Sequence, residues 1–355
     1  MFHYLIEMKG ILLHGGSGTR LRPLTYTDVK QLLPVAGKPV SEYALINMIN
    51  IGIKDFIIVI GNIGGDEVKN YYKNGEKWNV NIEYIYQEKP LGIAHAILLA
   101  RDLIKDDDFI VYLGDNILED KLDKLYNKFI KNNYDAMLVL TKVKNPEQFG
   151  IAYINNNKII KLEEKPKNSE SNYAVTGIYF LRSSIFDILK GLRPSKRDEY
   201  EITDAFQEML NRKMDLGYSF INGWWKDTGT IEDFLDCNRL VLENIERDAS
   251  IENDNIIGRV KISENAGIIN SKIKGPVYIG KNTIIENSNI SPYTSIGDNC
   301  VIKGCYIEDS IIMDNVKINK NNLMISESII GENSVIENSD YFNHFIVGKD
   351  SRIRM

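Results

Sequence analysis

Residues 10–25 read GILLHGGSGTRLRPLT: an apolar run, Gly10-Ile11-Leu12, passes into LHGGSGTRLRPLT, which packs three glycines into four residues before Arg20 and Arg22. Glycine lets backbone N–H groups turn toward an anion, and arginine adds a planar fork for phosphate oxygens. The stretch reads as a phosphate cradle behind a strand, with an ordinary turn as the alternative. Two common cradles do not match it. Thr19 and Arg20 follow Gly18, so a Gly-Lys-Ser/Thr ending is missing, and a dinucleotide fingerprint would need glycine where Leu21 stands.

Outward from this loop, strand-like runs at Gly10–Leu13, Phe56–Ile60, Ile82–Tyr86 and Phe109–Leu113 alternate with helix-type spacing at Ser41–Asn50, Asp66–Tyr72 and Ile93–Leu103. That alternation predicts an α/β fold with a mostly parallel, Rossmann-like sheet covered on both faces. Ligands of such sheets sit beyond the carboxyl ends of the strands, where the glycine loop and Leu113-Gly114-Asp115-Asn116 both fall. Strands at Ala136–Thr141 and Tyr173–Leu181 extend the sheet, and a helix over Ile231–Ile245 leads away from it.

After Arg247 the texture changes. Ile262, Ile268, Ile273, Ile279, Ile285, Ile290, Ile296, Ile302, Ile307, Ile312, Ile318, Met324, Ile330 and Ile336 recur every five or six residues among Asn, Ser, Asp, Lys and Gly. A hexapeptide period of this length cannot hold one face of a helix and predicts a parallel β-helix, which is expected to be left-handed. The expected organisation is an α/β domain over 1–245, with 1–7 a candidate N-terminal extension, then the β-helix over 246–340 and a tail over 341–355.

The chain of 355 residues is 26% charged and 43% hydrophobic, with a formal net charge of -6. It has no dense Lys/Arg stripe and no apolar stretch near the roughly 20 residues of a membrane span, and its first seven residues are too short and uncharged at the start to read as a signal peptide, so no nucleic-acid or membrane partner is expected. Cys237, Cys300 and Cys305 lack metal-type spacing and cannot all pair, so a cytoplasmic location is expected.

Chemistry-bearing candidates are few. Asp115 ends a buried strand and Asp227 lies in WWKDTGT; together they offer the hard carboxylate oxygens that Mg²⁺ shares with substrate phosphates, while singly each reads as well as a turn or helix-cap residue. Lys30 in KQLLP and Lys165 in LEEKP stand out only by context. No two of His3, His14, His95 and His344 form a metal pair or a triad.

Taken together, GGSGTRLRPLT, KQLLPVAGKP, QEKPLGIAHA, YLGDN, FGIA, LEEKP, EITDA and WWKDTGT resemble, in order and from about Met8 to Ile336, the sugar-1-phosphate nucleotidyltransferases (sugar-nucleotide pyrophosphorylases). Within that family the chain is most similar to long-form glucose-1-phosphate thymidylyltransferases, which carry a hexapeptide-repeat domain. The resemblance implies dTTP and glucose 1-phosphate as substrates, Mg²⁺ as cofactor and dTDP-glucose and pyrophosphate as products. It places Leu13, Gly15, Gly16, Gly18, Thr19, Arg20 and Gln31 on the nucleotide, with Gln87, Pro90 and Gly92 toward its base. It places Asn116, Gly150, Glu164, Lys165, Gly177 and Arg197 on the sugar phosphate, and Asp115 and Asp227 on the metal. Arg20, Lys30 and Lys165 would carry the catalytic charge.

His14 stands where the family usually has alanine, Val29 where proline often precedes the lysine, and Arg197-Asp198-Glu199-Tyr200-Glu201-Ile202-Thr203 where it reads Arg-Gly-Glu-Leu-Glu-Ile-Thr. Acyltransferase sites on hexapeptide repeats use a histidine base; residues 250–340 contain none, so the repeats are expected to serve assembly into a homo-oligomer or regulation. Rival expectations are a UTP- or GTP-dependent transferase of glucose or mannose 1-phosphate, and a silent scaffold subunit that would have lost Arg20 or the metal aspartates.

Overall fold

The computed structural model describes residues 8–16, 18–246, 255–337 and 344–354. The expected extension over 1–7 lies outside them. The chain forms two compact units, one of residues 8–16 with 41–226 and the other of residues 18–40 with 227–354. The segment 18–40 and the helix Ile231–Glu243, both read as parts of the α/β domain, thus pack in one unit with the repeats.

In the first unit the described residues form a nine-stranded sheet: β1 (Met8–His14), β2 (Asp55–Gly61), β3 (Asn81–Gln87), β4 (Asp108–Leu113), β5 (Ala136–Lys142), β6 (Gly150–Asn155), β7 (Lys158–Glu164), β8 (Tyr173–Leu181) and β9 (Leu216–Phe220). Its order is β7-β6-β8-β4-β1-β2-β3, with β5 on β8 and β9 on β5. The stretch β4-β1-β2-β3 is parallel throughout, and antiparallel pairing begins where β8 joins β4. Continuous apolar runs such as Ile11-Leu12-Leu13 and Phe56–Ile60 follow from burial of both sheet faces. One face packs Ile11, Leu13, Ile57, Val59 and Val111 against the helices Ile93–Leu99 and Ile202–Asn211. On the other face Gly10 leaves room for the Phe56 ring, beside Met48 of the helix Val40–Asn50. The helix expected over Ile93–Leu103 is two short ones, Ile93–Leu99 and Arg101–Ile104.

The second unit stacks short parallel strands. Ile256 pairs with Ile273, Ile273 with Ile290 and Ile290 with Ile307; Ile262 pairs with Ile279 and Ile279 with Ile296; Ile268 pairs with Ile285 and Ile285 with Ile302. Each partner lies 17 residues on, about three hexads, so the isoleucines fall into three columns, as a parallel β-helix requires. Asn265, Asn282, Asn299, Asn315 and Asn333 turn the same corner with φ between 54° and 59°, a backbone region that asparagine tolerates. Their side chains bond along the stack, Asn265 donating to Asn282 and Asn282 to Asn299.

The stretch expected as a tail over 341–355 is corrected in its described part. Ile346–Val347 pairs with Ile329-Ile330, and Arg352–Arg354 pairs with Val335–Glu337, so residues 344–354 add strands to the stack. Phe345 and Val347 are buried in its core. The hexad spacing is lost in the sequence Asn338–Asn343, which hid this continuation.

Adjacent residues of one coil separate packing from exposure. Ile285 is 0% exposed and Ile284 40%. Ile285→Ala is expected to cost about 2–5 kcal/mol and Ile284→Ala less than about 1 kcal/mol, read from denaturant unfolding of the two variants. Equal costs would contradict the columns.

Candidate active site

The carboxyl ends of the parallel strands gather the first group of predicted residues. Leu13 is buried at the end of β1, between Val59 and Leu113, and Gly15 and Gly16 are exposed just beyond it. The Gly114 N–H donates to the Leu13 carbonyl at 2.9 Å, which sets Asp115 past the end of β4. Asn116 is 2% exposed and donates through Nδ2 to Asp115 Oδ1 at 2.6 Å. Its Oδ1 in turn accepts from the Trp225 indole Nε1 at 2.7 Å, and the indole also donates to the Thr176 carbonyl. Trp225 therefore orients Asn116, and Asn116 orients the Asp115 carboxylate. Nothing in the spelling WWKDTGT singled out Trp225; the only signal was a tryptophan pair ahead of an aspartate.

His14 lies beside that carboxylate, 5% exposed, with its ring edge-on to Tyr72 at 5.7 Å. Both ring nitrogens are buried without a hydrogen-bond partner among the described residues. Burial pushes its pKa from 6.5 down to about 3, against the pull of Asp115. A neutral imidazole forms no ion pair with Asp115.

Gln87 closes β3 opposite Gly61 and is buried. Its Nε2 donates to the Gly92 carbonyl at 3.1 Å and approaches His95 Nδ1 at 3.0 Å. Gly92 has φ +101° and a Cβ there would meet the Tyr200 carbonyl at 2.6 Å, so only glycine fits; Pro90 is exposed in the same loop. The loop is stapled by Tyr200 N–H to the Leu91 carbonyl and Ala94 N–H to the Tyr200 carbonyl.

A second group surrounds Glu164. The Thr203 hydroxyl donates to its Oε2 at 3.1 Å, Arg197 Nη2 to its Oε1 at 3.1 Å, and Lys165 Nζ stands 3.9 Å away. Burial raises the Glu164 pKa, helped by Glu201 and opposed by Lys165 and Arg197. Gly150 faces Glu164 across the β6–β7 pair, and Gly177 lies in the irregular stretch of β8, against the Leu113 side chain. Lys165 donates its N–H to the Phe149 carbonyl, and the Phe149 ring meets Trp225 edge-on at 5.6 Å, which links this corner to Asn116. Arg197 is held by Glu164, Glu199 and the buried Glu201. The structure commits its guanidinium to carboxylates, where the family pattern had put it on a phosphate. Glu201 and Thr203 were not singled out individually, though EITDA contains both.

In the second unit Gly18 and the exposed Thr19 and Arg20 enter a short turn, Thr19–Leu21, while Lys30 and Gln31 are buried in another, Lys30–Leu32. A Cβ built on Gly229 would lie 3.3 Å from Arg20 Nη2 and 3.4 Å from Asp227 Oδ2, so that cation and that carboxylate converge on one glycine. The helix Ile231–Glu243 is capped by a reciprocal box between Thr230 and Asp233. Asp227 is therefore not its cap, and no helix begins at Asp115 either, which removes the helix-cap reading of both. Among the described residues no group of three or more His, Cys, Asp or Glu could hold a metal ion. None of their helices is long and apolar enough to cross a membrane.

Comparison with known proteins agrees with this geometry. The nucleotidyl transferase family model matches residues 9–244, and a model described as the GMPPB C-terminal domain matches residues 273–355. This chain belongs to the nucleotidyl transferase family, as one of its sugar-phosphate nucleotidyltransferases. It is 41% identical over 98% of its length to the whole of the low-salt glycan biosynthesis nucleotidyltransferase Agl11 of Haloferax volcanii. It is 42% identical to a glucose-1-phosphate thymidylyltransferase of Streptomyces griseus, over 72% of this chain and 73% of that one. A crystal structure of a putative glucose-1-phosphate thymidylyltransferase from Bacillus anthracis, in complex with a sucrose, superimposes with a TM-score of 0.63 at 40% identity, covering 68% of this chain and 97% of that chain.

The buried His14 makes stability depend on pH. The unfolded chain takes up a proton near pH 6.5 that the folded chain refuses until about pH 3, so His14 costs stability progressively as pH falls between those values. His14→Ala is expected to make the loss of stability from pH 6.5 to 4 shallower in denaturant titrations, and an unchanged slope would contradict the burial.

Proposed function

We propose that the chain transfers a thymidylyl group from dTTP to glucose 1-phosphate, giving dTDP-glucose and pyrophosphate for nucleotide-sugar biosynthesis. The observation that carries the base choice is the buried Gln87 amide. With Nε2 committed to the Gly92 carbonyl, its carbonyl end is turned the other way, as an imide N–H of thymine requires. Uracil offers the same edge, so UTP is the second nucleotide to test. The likeness to the Streptomyces griseus enzyme favours dTTP.

The nucleophile is a phosphate monoester oxygen, anionic at neutral pH, so the protein need not deprotonate it. The difficulty is bringing two polyanions together in line, which is a matter of charge and position. In this reading Gly15, Gly16 and Gly18 let the backbone approach the triphosphate, Arg20 and Lys30 stabilise the departing pyrophosphate, and Gln31 lies toward the deoxyribose. Lys165 places the sugar phosphate and Glu164 takes sugar hydroxyls. The grip on Arg197 supports a role in holding Glu164 in place.

Asp115 and Asp227 fit Mg²⁺ by donor chemistry: both are hard carboxylates, and the histidine beside Asp115 is neutral. They would hold the ion, with substrate phosphates completing its shell, and the bound ion would neutralise phosphate charge. For the repeats we propose a left-handed β-helix serving a homo-oligomer. Three buried cysteines favour a cytoplasmic protein.

Steady-state pyrophosphate release, with dTTP, UTP, CTP, ATP and GTP each paired with a panel of sugar 1-phosphates, tests the reading. dTTP with glucose 1-phosphate is expected to give the highest kcat/KM; preference for a purine nucleotide would overturn it. Asp115→Asn and Asp227→Asn are each expected to lower turnover by about a hundredfold or more at saturating Mg²⁺. Near-normal rates in both variants would remove the metal from these residues.

A further inference from the structure

Within the second unit, residues 18–40 carry Arg20, Lys30 and Gln31, and little of this segment is regular: three short turns and a two-residue hairpin, Pro34–Val35 with Lys38–Pro39. Its internal bonds are local, such as the Thr25 hydroxyl to the Gly18 carbonyl at 2.7 Å. A segment of this kind needs outside support to hold cations in one place.

The repeats supply that support at two points. Near the front, Lys349 stands 2.9 Å from Glu332 and 4.0 Å from Asp28, and a Cβ built on Gly348 would lie 3.1 Å from the Pro23 carbonyl oxygen. The Lys349 and Asp28 side chains are 29% and 23% exposed, sheltered enough for the pair to count. At the hairpin, Ala36 N–H donates to Asn238 Oδ1 at 3.0 Å, and Asn238 Nδ2 donates to the Tyr293 carbonyl at 2.9 Å. Asn238 is 1% exposed, so this bridge is shielded from water. Beside it the Tyr278 ring lies against Gly37, leaving no room for a Cβ.

The geometry points to the stacked coils as the seat of the nucleotide-binding segment, with Lys349 and Gly348 as positioning residues that hold Pro23 to Asp28 and so hold Arg20. The repeats then act on nucleotide binding in addition to any role in assembly. This rests on reading 18–40 as the triphosphate-contacting segment.

The test uses the full chain and measures equilibrium binding of dTTP with Mg²⁺, beside the KM for glucose 1-phosphate. Lys349→Met and Gly348→Val are each expected to weaken dTTP binding about fivefold or more while the sugar-phosphate KM stays within about twofold, and Lys349→Arg to restore most of the loss. Where Gly348→Val does not fold, Asp28→Asn carries the same expectation. Folded Lys349→Met and Asp28→Asn proteins with unchanged dTTP binding would overturn the proposal, as would equal weakening toward both substrates. Arg20→Ala separates the two readings. If it weakens dTTP binding and the Lys349 and Asp28 variants do not, only the seat is wrong; if it leaves dTTP binding untouched, the segment does not contact the triphosphate and both fall.

Discussion

The bond from the Trp225 indole to Asn116, and from Asn116 to Asp115, is the constraint on which the chemistry of the first unit depends. Asn116 fixes one oxygen, and Trp225 fixes the asparagine so that its amide cannot flip. The same indole touches Phe149, whose carbonyl holds the Lys165 backbone, so the groups proposed for metal and for sugar phosphate share one anchor. His14 completes the setting by staying neutral beside the charge, because its pocket disfavours the protonated ring.

Much of the architecture was legible in sequence because two periodicities are strong. Unbroken runs such as Phe56–Ile60, alternating with helix-type spacing, fit strands buried on both faces, and the isoleucine hexads fit short stacked strands. The contribution of residues 344–354 was hidden, since Asn338–Asn343 interrupt the spacing although Phe345 and Val347 rejoin the core. The packing of 18–40 with the repeats was equally hidden, because it depends on single contacts, such as Asp28 with Lys349, that leave no pattern along the chain.

The candidate residues divide the same way. Asp115 stood out by its place at a strand end, whereas Gln87 stood out only through the resemblance carried by QEKPLG. Asp227 was ambiguous until the capping box at Thr230 and Asp233 took over the helix terminus. Arg197 was assigned to the sugar phosphate by the family pattern alone, and the fold adds what the sequence did not show, Glu164, Glu199 and the buried Glu201 around it. Trp225 was missed because its value lies in one N–H shared between Asn116 and Thr176.

What emerges among the described residues is a set of charges and hydrogen-bond donors. His14 is buried and neutral, and burial raises the thiol pKa of Cys300 to about 12 and of Cys305 to about 11. In the proposed reading the site would carry one direct in-line displacement at the α-phosphorus, the sugar phosphate oxygen entering as pyrophosphate leaves. The stereochemical course with dTTP made chiral by sulfur at the α-phosphorus tests this most directly. Inversion at phosphorus is the expected result, and retention, which requires two displacements through a covalent nucleotidyl-enzyme, would contradict the account.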